Sequence, residues 1–597
     1  MAGRPVARRT VLAAAAAGAA ATALGDRAAP TAAAATPELG VDERAVSMAM
    51  HVHSSFSEGT ASMHAHLDQA SRLGVDVVMW TDHDFRLLAH GYRTAVRFDG
   101  LVEDDAVRAT WTWTRADEGA ASYAAATFVT DPRSPRQDGR ALRLQNRAPS
   151  RSTTWCSTRL TGSAKNSLAT TSLAATVLEL DVLAQELGPD AELVLAVASS
   201  YRPAAAGRPA GQYRLEYRMG GRTGRWTEAG GLVGVVGLPV AVGWQSLALD
   251  LQADVEALWP DLVAVDAGFC GVAVSARSRR GAAAKVVLDR LEIVRTRRSG
   301  EPFTLQREAM AAYAQRYPSV RQHQGSEISL VRHLNAYGDG LVLPAPPTPR
   351  ATKDTSVAAA AAAVRELRAS ADLVAFNHPL EDARTTEALA DLLVSTRALG
   401  ADVVEVGSKE DLASTVAAYD VAARNAVLVT ATGVSDDHTG RDWLAQAQRW
   451  LTSVWATSTD LPDLAAALRA GRAWFWDPRA WRGQVDLVAD GRTRMGGVLV
   501  TRSDAVQVVV TATPAPAGGT TTLVVGAVDM AGRADLSPRV TRVPLDTGGT
   551  VLVDASRDSG AYARVEVRDA GGSLVGFSNP LWMLHEAPAG ATAERLG

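Results

Sequence analysis

The sequence predicts a multidomain chain in which an α/β part is combined with all-β parts, and two patterns lead to this prediction. Apolar runs alternate with helical stretches in residues 46–80 and 303–480, as in buried parallel strands that are connected by helices. Short alternating strands separated by Gly and Pro fill residues 100–298 and 485–597, which is typical of β-sandwiches. With 597 residues, the chain is also longer than one hydrophobic core usually allows.

Composition is that of a globular protein. The formal net charge is −4 and 47% of the residues are apolar, with a pI near 6.3. This charge gives no general attraction to nucleic acid, and no basic run supplies a local one. We therefore expect no nucleic-acid partner.

The first residues are typical of an export signal. Arg8-Arg9-Thr10-Val11-Leu12 precedes an Ala-rich segment that continues to Ala35, which matches a twin-arginine signal with a small-residue cleavage site. A membrane anchor is the alternative, but the apolar segment is short and weakly hydrophobic for a span. We predict a signal in residues 1–35, export by the twin-arginine route to the cell envelope or the medium, and no membrane span after cleavage.

Polar residues that can carry chemistry follow the apolar runs of the α/β part. His51 and His53 close the first run, and side chains two positions apart on a strand project to the same side. The carboxyl ends of strands are also where an α/β barrel carries its active site. The residues in such places are His51, His53, Glu58, Asp82, His83, Asp84, Glu327, His333, His378, Glu405, Asp436 and His438. Six of the 11 His residues fall in this set, so a metal site is predicted.

In their combination and order, these motifs resemble the PHP (polymerase and histidinol phosphatase) superfamily of metal-dependent hydrolases. Glu327 followed by His333-Leu-Asn-Ala-Tyr-Gly is most similar to the branch that includes carbamate and ester hydrolases. The resemblance covers about residues 36–99 and 300–480 and implies a distorted (β/α)7 barrel. Glu58 departs from the pattern, because the family usually has Asp in a Ser-Asp-Gly turn at this place.

The resemblance implies two or three divalent metal ions. Imidazole and carboxylate ligands without a thiolate suit Zn, Mn or Fe. The implied ligands are His51, His53, Glu327 and Asp436 for one ion, Glu327 as a bridge with His333 and His378 for a second, and His83 and His438 with Glu58 for a third. Such ions activate water for hydrolysis, which determines the type of reaction but not the bond that is cleaved.

Residues beside the implied ligands are predicted to orient them or to bind substrate. The predicted catalytic residues are Asp82, Asp84, Arg86 and Lys409. Asp82, together with Glu405, is placed to orient the imidazole ligands. Arg86 and Lys409 would bind an anionic group of the substrate, and surface solvation is the alternative for both.

A helix is predicted between the first two strands. Ser62 is expected to cap it and Gly74 to end it. His64 and His66 lie on its first turn, and we interpret them as solvated helix residues. Arg441, beyond the last ligand motif, is likewise interpreted as a solvated surface residue.

The inserted residues 100–298 are predicted to form a β-sandwich that resembles a jelly-roll carbohydrate-binding module in texture only. Because the insert leaves the α/β part directly after the second ligand motif, we expect it at the rim of the site, where it would shape access. Its Trp residues would form either a sugar-stacking platform or part of the core; they are Trp111, Trp113, Trp226, Trp244 and Trp259. Cys156 and Cys270 would form a disulfide or remain buried free thiols.

Residues 483–597 are predicted to form an immunoglobulin-like β-sandwich with a structural role. The full set of predicted boundaries is 1–35 for the signal, 36–99 and 299–482 for the barrel, 100–298 for the insert and 483–597 for the C-terminal sandwich.

The sequence therefore predicts an exported metal-dependent hydrolase that acts on a small-molecule or carbohydrate-linked substrate. A phosphoesterase is the first choice on superfamily grounds, and a carbamate, ester or amide hydrolase is the alternative from the branch resemblance. A non-catalytic polysaccharide-binding protein is the alternative from another class, because β-rich regions make up about half of the mature chain. The oligomeric state and the role of the insert do not follow from the sequence.

Overall fold

The computed structural model describes residues 43–89, 94–96, 110–129, 141–165, 172–295, 300–343, 353–536, 539–546 and 548–596. Residues 38–597 form one compact unit. The predicted signal lies outside the described residues. Among the helices that are described, none combines the length and apolar character needed to cross a bilayer.

The described chain begins with two parallel strands and the helix between them. Ser62 caps this helix by accepting a hydrogen bond from the Ala65 amide, and Gly74 ends it with a φ of 65°, so both predicted helix boundaries are confirmed. The elements are β1 (Arg44–Val52), α1 (Met63–Leu73), β2 (Val77–Trp80) and α2 (Asp84–Ala89).

The insert consists of two β-sheets that enclose a core of their own. The bounds are β3 (Thr94–Val96), β4 (Thr110–Glu118), β5 (Tyr123–Val129), β6 (Ala141–Arg147), β7 (Cys156–Lys165), β8 (Val177–Glu186), β9 (Ala191–Arg202), β10 (Gly211–Met219), β11 (Gly224–Glu228), β12 (Val233–Leu238), β13 (Trp244–Asp250), α3 (Leu251–Leu258), β14 (Gly271–Ser278) and β15 (Ala283–Val294). One sheet has the order β11-β12-β10-β9-β14-β7-β4, and the other has β13-β8-β15-β6-β5 with β3 beside β15. Leu144 and Leu180 from one sheet pack with Leu195 and Val274 from the other in a single core. The all-β character of the insert agrees with the prediction, whereas jelly-roll connectivity stays a prediction.

The predicted alternative of a disulfide is wrong, because the strand register separates the two cysteines. Cys156 opens β7 opposite Ser278, at the end of β14, whereas Cys270 directly precedes Gly271, at the start of β14. Seven strand positions span about 23 Å, far beyond the roughly 7 Å limit between the Cα atoms of a disulfide. Both residues are free thiols.

The Trp residues of the insert do not form one platform. Trp259 is buried in the core, and the side chain of Trp111 lies outside the described residues. Trp113 and Trp226 lie on β4 and β11, at opposite edges of one sheet, and Trp244 lies on β13 in the other sheet. A shared stacking surface of these residues is therefore excluded.

The α/β part resumes after the insert and extends the first sheet. Its bounds are α4 (Glu301–Ala314), β16 (Arg321–Ile328), β17 (Leu334–Tyr337), α5 (Val357–Leu367), β18 (Leu373–Phe376), α6 (Leu380–Ala383), α7 (Thr386–Thr396), β19 (Val403–Gly407), α8 (Leu412–Arg424), β20 (Thr430–Gly433), β21 (Leu451–Ala456), α9 (Leu461–Arg469) and β22 (Ala473–Trp476). The strand order is β20-β19-β18-β17-β16-β2-β1-β21-β22. The pairs β1–β2, β2–β16, β18–β19 and β19–β20 are parallel, and β17 is antiparallel to both of its neighbours.

The end of β1 and the loop after β20 meet at one point. Val52, at the end of β1, forms a parallel bridge with Asp437, just beyond β20. The carboxyl ends of the parallel strands therefore face a common space. The distorted (β/α)7 barrel as such stays a prediction.

The C-terminal region is β-rich, as predicted, and continues the same sheet. Its bounds are β23 (Val485–Ala489), β24 (Thr493–Arg494), β25 (Val498–Val500), β26 (Ala505–Ala512), β27 (Thr520–Val528), β28 (Val540–Leu545), β29 (Gly548–Asp554), β30 (Gly560–Arg568), β31 (Leu574–Ser578), β32 (Leu581–Leu584) and α10 (Ala593–Leu596). β22 pairs with β31, and a separate sheet has the order β24-β23-β26-β29. The buried guanidinium of Arg564 donates two hydrogen bonds of 2.8 Å to Asp420 of α8. The region is thus tied to the α/β part, whereas its immunoglobulin-like character stays a prediction.

Candidate metal centre

The structure brings all nine predicted ligands together at the carboxyl ends of the strands. His51 lies near the end of β1 and Glu327 near the end of β16. The other seven follow a strand or precede the next one: His53, Glu58, His83, His333, His378, Asp436 and His438. Asp436 has a φ of 51°, a left-handed conformation that Asp tolerates better than most residues.

Three of these side chains are spaced like donors around one ion, and Asp436 contacts two of them. The Nε2 atoms of His51 and His53 are 3.2 Å apart. Asp436 Oδ1 lies 3.3 Å from the first and 3.1 Å from the second, and Glu327 Oε2 lies 3.6 and 3.4 Å from them. A tetrahedral ion with ligand bonds of about 2.0–2.1 Å has ligand separations of about 3.3–3.4 Å. The donor types and the spacing of His51, His53 and Glu327 fit one divalent ion.

Glu327 turns its second oxygen towards another group of donors. Its Oε1 lies 2.8 Å from His333 Nδ1 and 3.3 Å from His378 Nε2, and it accepts a hydrogen bond of 3.1 Å from the side chain of Asn377. The two carboxylate oxygens therefore face two different sets of imidazoles. This is the arrangement of a carboxylate that bridges two metal ions.

A third group surrounds Glu58. Its Oε1 lies 2.5 Å from His83 Nε2 and 3.3 Å from His438 Nε2, and the ring of His438 stacks on that of His53 with centroids 4.0 Å apart. The ligand atoms of these four residues all lie within 4.8 Å of one another. The Glu58 carboxylate therefore lies close enough to these imidazoles to share an ion with them.

Burial and charge pairing oppose each other in this cluster. Burial alone would lower the pKa of His378 and His438, but hydrogen bonds to Glu327 and Glu381 raise the pKa of His378 to about 10, and those to Glu58 raise the pKa of His438 to about 9. Burial raises the pKa of Glu327, but the surrounding imidazoles hold it well below the ordinary value. In the chain alone, the imidazole and carboxylate groups therefore offset one another's charge.

Glu405 holds two of the ligand segments in place. Its Oε1 lies 2.7 Å from His51 Nδ1, and its Oε2 accepts a hydrogen bond of 2.8 Å from the His378 amide. A carboxylate on the outer nitrogen of an imidazole selects the tautomer whose other nitrogen can bind a metal. This geometry agrees with the predicted orienting role.

Asp82 is buried beneath the ligands and contacts the loop that follows β1. Its carboxylate accepts hydrogen bonds from the Ser54 amide and hydroxyl, at 2.8 and 2.6 Å, and from the Ser57 hydroxyl, at 2.6 Å. The Ser57 hydroxyl lies 3.5 Å from His53 Nδ1. Asp82 therefore acts on the imidazole through Ser57 and not directly.

The other predicted catalytic residues take different positions. Burial raises the pKa of Asp84 to about 6, and its Oδ1 accepts hydrogen bonds from the amides of Phe85 and Ser329. Lys409 Nζ lies 3.1 Å from Asp436 Oδ2 and 3.1 Å from Glu381 Oε2, so it borders the ligands. The side chain of Arg86 lies outside the described residues.

The interpretation of His64 and His66 as solvated residues is wrong. Both are buried, because α4 and the loop after β20 pack on the first turn of α1 and Asp266 of the insert binds its amides. The ring of His64 stacks on Tyr313 with centroids 5.6 Å apart, and His66 Nδ1 lies 3.7 Å from Asp437 Oδ2. Arg441 is also not simply solvated, since its guanidinium lies 5.1 Å from the ring centroid of Tyr201 in the insert.

Lys353 is a residue of the site that sequence reasoning missed. Its Nζ lies 3.0 Å from His333 Nε2. Only four residues of the chain are Lys, among 61 Lys and Arg residues. This rarity was the available signal, because two of the four, Lys353 and Lys409, border the candidate ligands.

Comparison with known proteins gives little for the chain as a whole. No family model matches it, and no curated protein does. A two-domain protein from Bacteroides vulgatus, containing a predicted PHP-like metal-dependent phosphoesterase, is similar at 18% identity over 48% of this chain and 80% of its own, with a TM-score of 0.23.

Two carbohydrate-binding modules from Clostridium thermocellum are also similar. A family 11 module in complex with a β-1,3-1,4-mixed-linked tetrasaccharide shows 10% identity over 34% of this chain and 96% of its own, with a TM-score of 0.20. A family 30 module shows 13% identity over 30% of this chain and 98% of its own, with a TM-score of 0.17. At these identities and TM-scores, none of the likenesses decides the function.

Proposed function

We propose that this chain is an exported metal-dependent phosphoesterase of the PHP type. The observation that carries the proposal is the convergence of His51, His53 and one Glu327 oxygen, with Glu327 presenting its second oxygen to another pair of imidazoles. The barrel, the ligand assignment and the ions, Zn, Mn or Fe, belong to the same proposal. When bound, such ions lower the pKa of water and polarise the scissile group.

The chain's own residues supply orientation and charge. Glu405 fixes the ring of His51 from its outer nitrogen, and Asp82 holds the loop after β1 through Ser54 and Ser57. The buried walls around Glu327 exclude bulk water, which strengthens electrostatic interactions inside the site. The residues thus hold a ligand geometry that needs little rearrangement during a reaction.

The two lysines favour an anionic substrate within this class. Lys353 and Lys409 lie on different sides of the ligand set, next to His333 and Asp436. An ammonium group is a compact point charge that suits a single phosphate oxygen, whereas a neutral ester or carbamate offers it no charged partner. A phosphate ester is therefore the proposed substrate class, and the ester, carbamate or amide hydrolase is the alternative.

Hydrolysis should depend on metal and be restricted to phosphate esters. The mature chain would be stripped with a chelator, reloaded with Mn or Zn, and assayed on a chromogenic phosphate monoester, phosphate diester, carboxylic ester and carbamate. We expect release from a phosphate ester only, lost with the chelator and restored by the ion. Release from the ester or carbamate alone would move the chain to the alternative branch, and metal-independent or absent release would count against the enzyme assignment.

Replacing either site lysine by Ala should weaken substrate binding. One charge-assisted hydrogen bond is worth roughly 1.5 kcal/mol, so KM for the phosphate ester should rise about tenfold in Lys353→Ala and in Lys409→Ala. Lys285→Ala is the matched control, because Lys285 lies on β15 of the insert. Steady-state kinetics checks this, and equal KM values in all three variants would contradict the role of the site lysines.

One observation favours the polysaccharide-binding alternative. A groove of about 200 Å³ crosses the seven-stranded sheet of the insert, lined among others by Trp155, Arg159, Glu216 and Arg277. An aromatic face and paired charges suit a polar chain of sugars. Retention of the full chain on insoluble polysaccharides, lost in Trp155→Ala, would support this function, and no retention would leave it without support.

Export is proposed from the sequence motif alone. A chain in which Arg8 and Arg9 are both changed to Lys should stay inside the cell. Cell fractionation and immunoblotting would locate the variant. Normal export of the variant would contradict the twin-arginine route.

A further inference from the structure

A carboxylate of the insert reaches into the α/β part next to the candidate metal centre. Asp266 ends the short 3-10 turn Ala264–Asp266 and has no exposed surface. Its Oδ1 accepts hydrogen bonds from the Ser55 hydroxyl at 2.7 Å and the Met63 amide at 2.8 Å. Its Oδ2 accepts from the His64 amide at 3.2 Å and the Tyr313 hydroxyl at 2.8 Å.

These contacts make Asp266 a cap for a helix in another part of the fold. Met63 and His64 are the first two residues of α1, and their amides have no partner within the helix. Ser62 satisfies only the Ala65 amide. A carboxylate at this end also interacts favourably with the helix dipole. The insert therefore completes the N-terminus of α1.

A second contact of the insert holds the same segment. The Tyr201 amide, at the end of β9, donates to the Thr60 carbonyl at 2.7 Å, and the Ser62 amide donates to the Tyr201 carbonyl at 3.0 Å. The Thr60 amide donates in turn to the His438 carbonyl at 2.8 Å. The backbone of residues 60–62 thus lies between the insert and a ligand segment.

Arg202, which follows Tyr201 in the chain, binds the backbone and a neighbour of Asp266. Its guanidinium donates to the Asp266 carbonyl at 2.6 Å and to the Tyr313 hydroxyl at 3.3 Å, and it is almost completely buried. Because Tyr313 belongs to α4, one buried network joins the insert to α1, α4 and the loop after β1. The insert is consequently attached to the site by polar contacts and not only by packing.

The segment between these attachments carries Glu58. Ser55 is held by Asp266 on one side and residues 60–62 by Tyr201 on the other. The backbone between them is tight, since a Cβ on Gly59 would lie 2.4 Å from the Ser54 carbonyl oxygen. A shift at either attachment therefore has to move Glu58 relative to His83 and His438.

We propose that the insert is a positioning part of the metal centre, and that Asp266 holds Glu58 where it can share an ion with His83 and His438. Asp266 is a positioning residue, because it contacts none of these side chains itself. Without it, the ion of this group should be lost, while the groups around Glu327 keep theirs. That Glu58 binds an ion rests on the proposed function. That Asp266 positions the segment carrying Glu58 does not.

The test is Asp266→Asn in the full chain, with two measurements. The Asn side chain keeps the size but presents an NH₂ group to amide and hydroxyl donors. By mass spectrometry of bound metal, the variant should hold one ion fewer per chain than the unchanged protein. By hydrogen exchange without added metal, the amides of residues 55–64 should exchange about tenfold faster or more.

Asp254→Asn is the matched control. Asp254 is a buried carboxylate of α3 in the same insert, and it accepts hydrogen bonds from the Tyr217 hydroxyl and from Arg225, all within the insert. Its replacement should change neither the metal count nor exchange in residues 55–64. A loss of metal equal to that of Asp266→Asn would show a general effect of the insert and overturn the specific role of Asp266.

The two measurements distinguish the positioning role of Asp266 from ion binding by Glu58. Unchanged exchange in residues 55–64 and an unchanged metal count in Asp266→Asn would overturn it. Faster exchange in a protein that binds no metal even when unmodified would contradict the proposed function and leave the positioning role standing. If Asp266→Asn does not fold, Ser55→Ala removes one of its contacts, and the same two measurements decide in that variant.

Discussion

Glu327→Gln is expected to lower kcat/KM for a phosphate ester by at least about 10³-fold, as for loss of a group on which a catalytic site depends. Glu327 places one oxygen 3.4 Å from His53 and the other 2.8 Å from His333. An amide offers one neutral oxygen and an NH₂ group that cannot bind a cation, so both ion positions lose a charged ligand. The measurements are steady-state kinetics and metal content on the same preparation, and both should fall together.

Glu405→Gln provides the graded comparison. Glu405 contacts the outer nitrogen of His51, so it orients a ligand without being one, and loss of such a partner usually costs about 10–100-fold in metal affinity or activity. The expected order is therefore a severe loss for Glu327→Gln and a moderate one for Glu405→Gln. The reverse order, or near-normal activity in Glu327→Gln with full metal content, would contradict the bridging geometry.

The sequence allows several neighbours at the site to be predicted because a local rule places them, whereas their roles as metal ligands are what the family resemblance implies. His51 and His53 are two positions apart on β1, and period-two alternation sends both rings to one side. Glu405 likewise lies in an apolar run, whereas the strand that contains Glu327 is mostly polar. Parallel strands have their carboxyl ends at the same edge of the sheet. Residues that follow different strands are therefore expected to lie close together. No knowledge of the connecting helices is needed for this step.

Burial of His64 and His66 could not be predicted in the same way. On an isolated helix their turn would face water. It is covered by residues that are distant in the sequence, namely Tyr313 and Asp437 of the α/β part and Asp266 of the insert. Asp266 itself follows an ordinary turn, where an Asp is usually solvated. Its capping role depends on how the insert packs against the α/β part, and no local sequence pattern predicts that packing.

The register of long-range strand pairs could not be predicted from the sequence either. Cys156 and Cys270 border strands that pair with each other, yet they stand at opposite ends of that pair because the register aligns Cys156 with Ser278. The pairing of Trp474 with Ser578, which joins the C-terminal region to the first sheet, also depends on tertiary contact. The alternation of apolar and polar residues predicts that these regions form β-strands. It does not predict which strands pair with each other.

Metal binding is expected to release protons and to strengthen as the pH rises from 7 towards 9. In the chain alone, the pKa of His378 is raised to about 10 and that of His438 to about 9, so both rings carry a proton at pH 7 on nitrogens that an ion requires. Ion and proton then compete, and each displaced proton makes the apparent affinity of its site change about tenfold per pH unit. Because the raised pKa values favour the protonated ring, affinity is weakest at low pH and levels off above about pH 9–10.

Titration calorimetry in two buffers of different ionisation enthalpy measures this release directly. At pH 7, filling the sites should release about two protons from these two rings, in addition to the proton that the raised pKa of His51 places on that ring. The number should fall as the pH passes the pKa of His438 and then that of His378. In Glu58→Gln, the carboxylate that raises the pKa of His438 is absent, so release at pH 8 should fall by about one proton. Binding at pH 7 without proton release would mean that the ions do not take these imidazoles as ligands, and the assignment of the second and third groups would then fail.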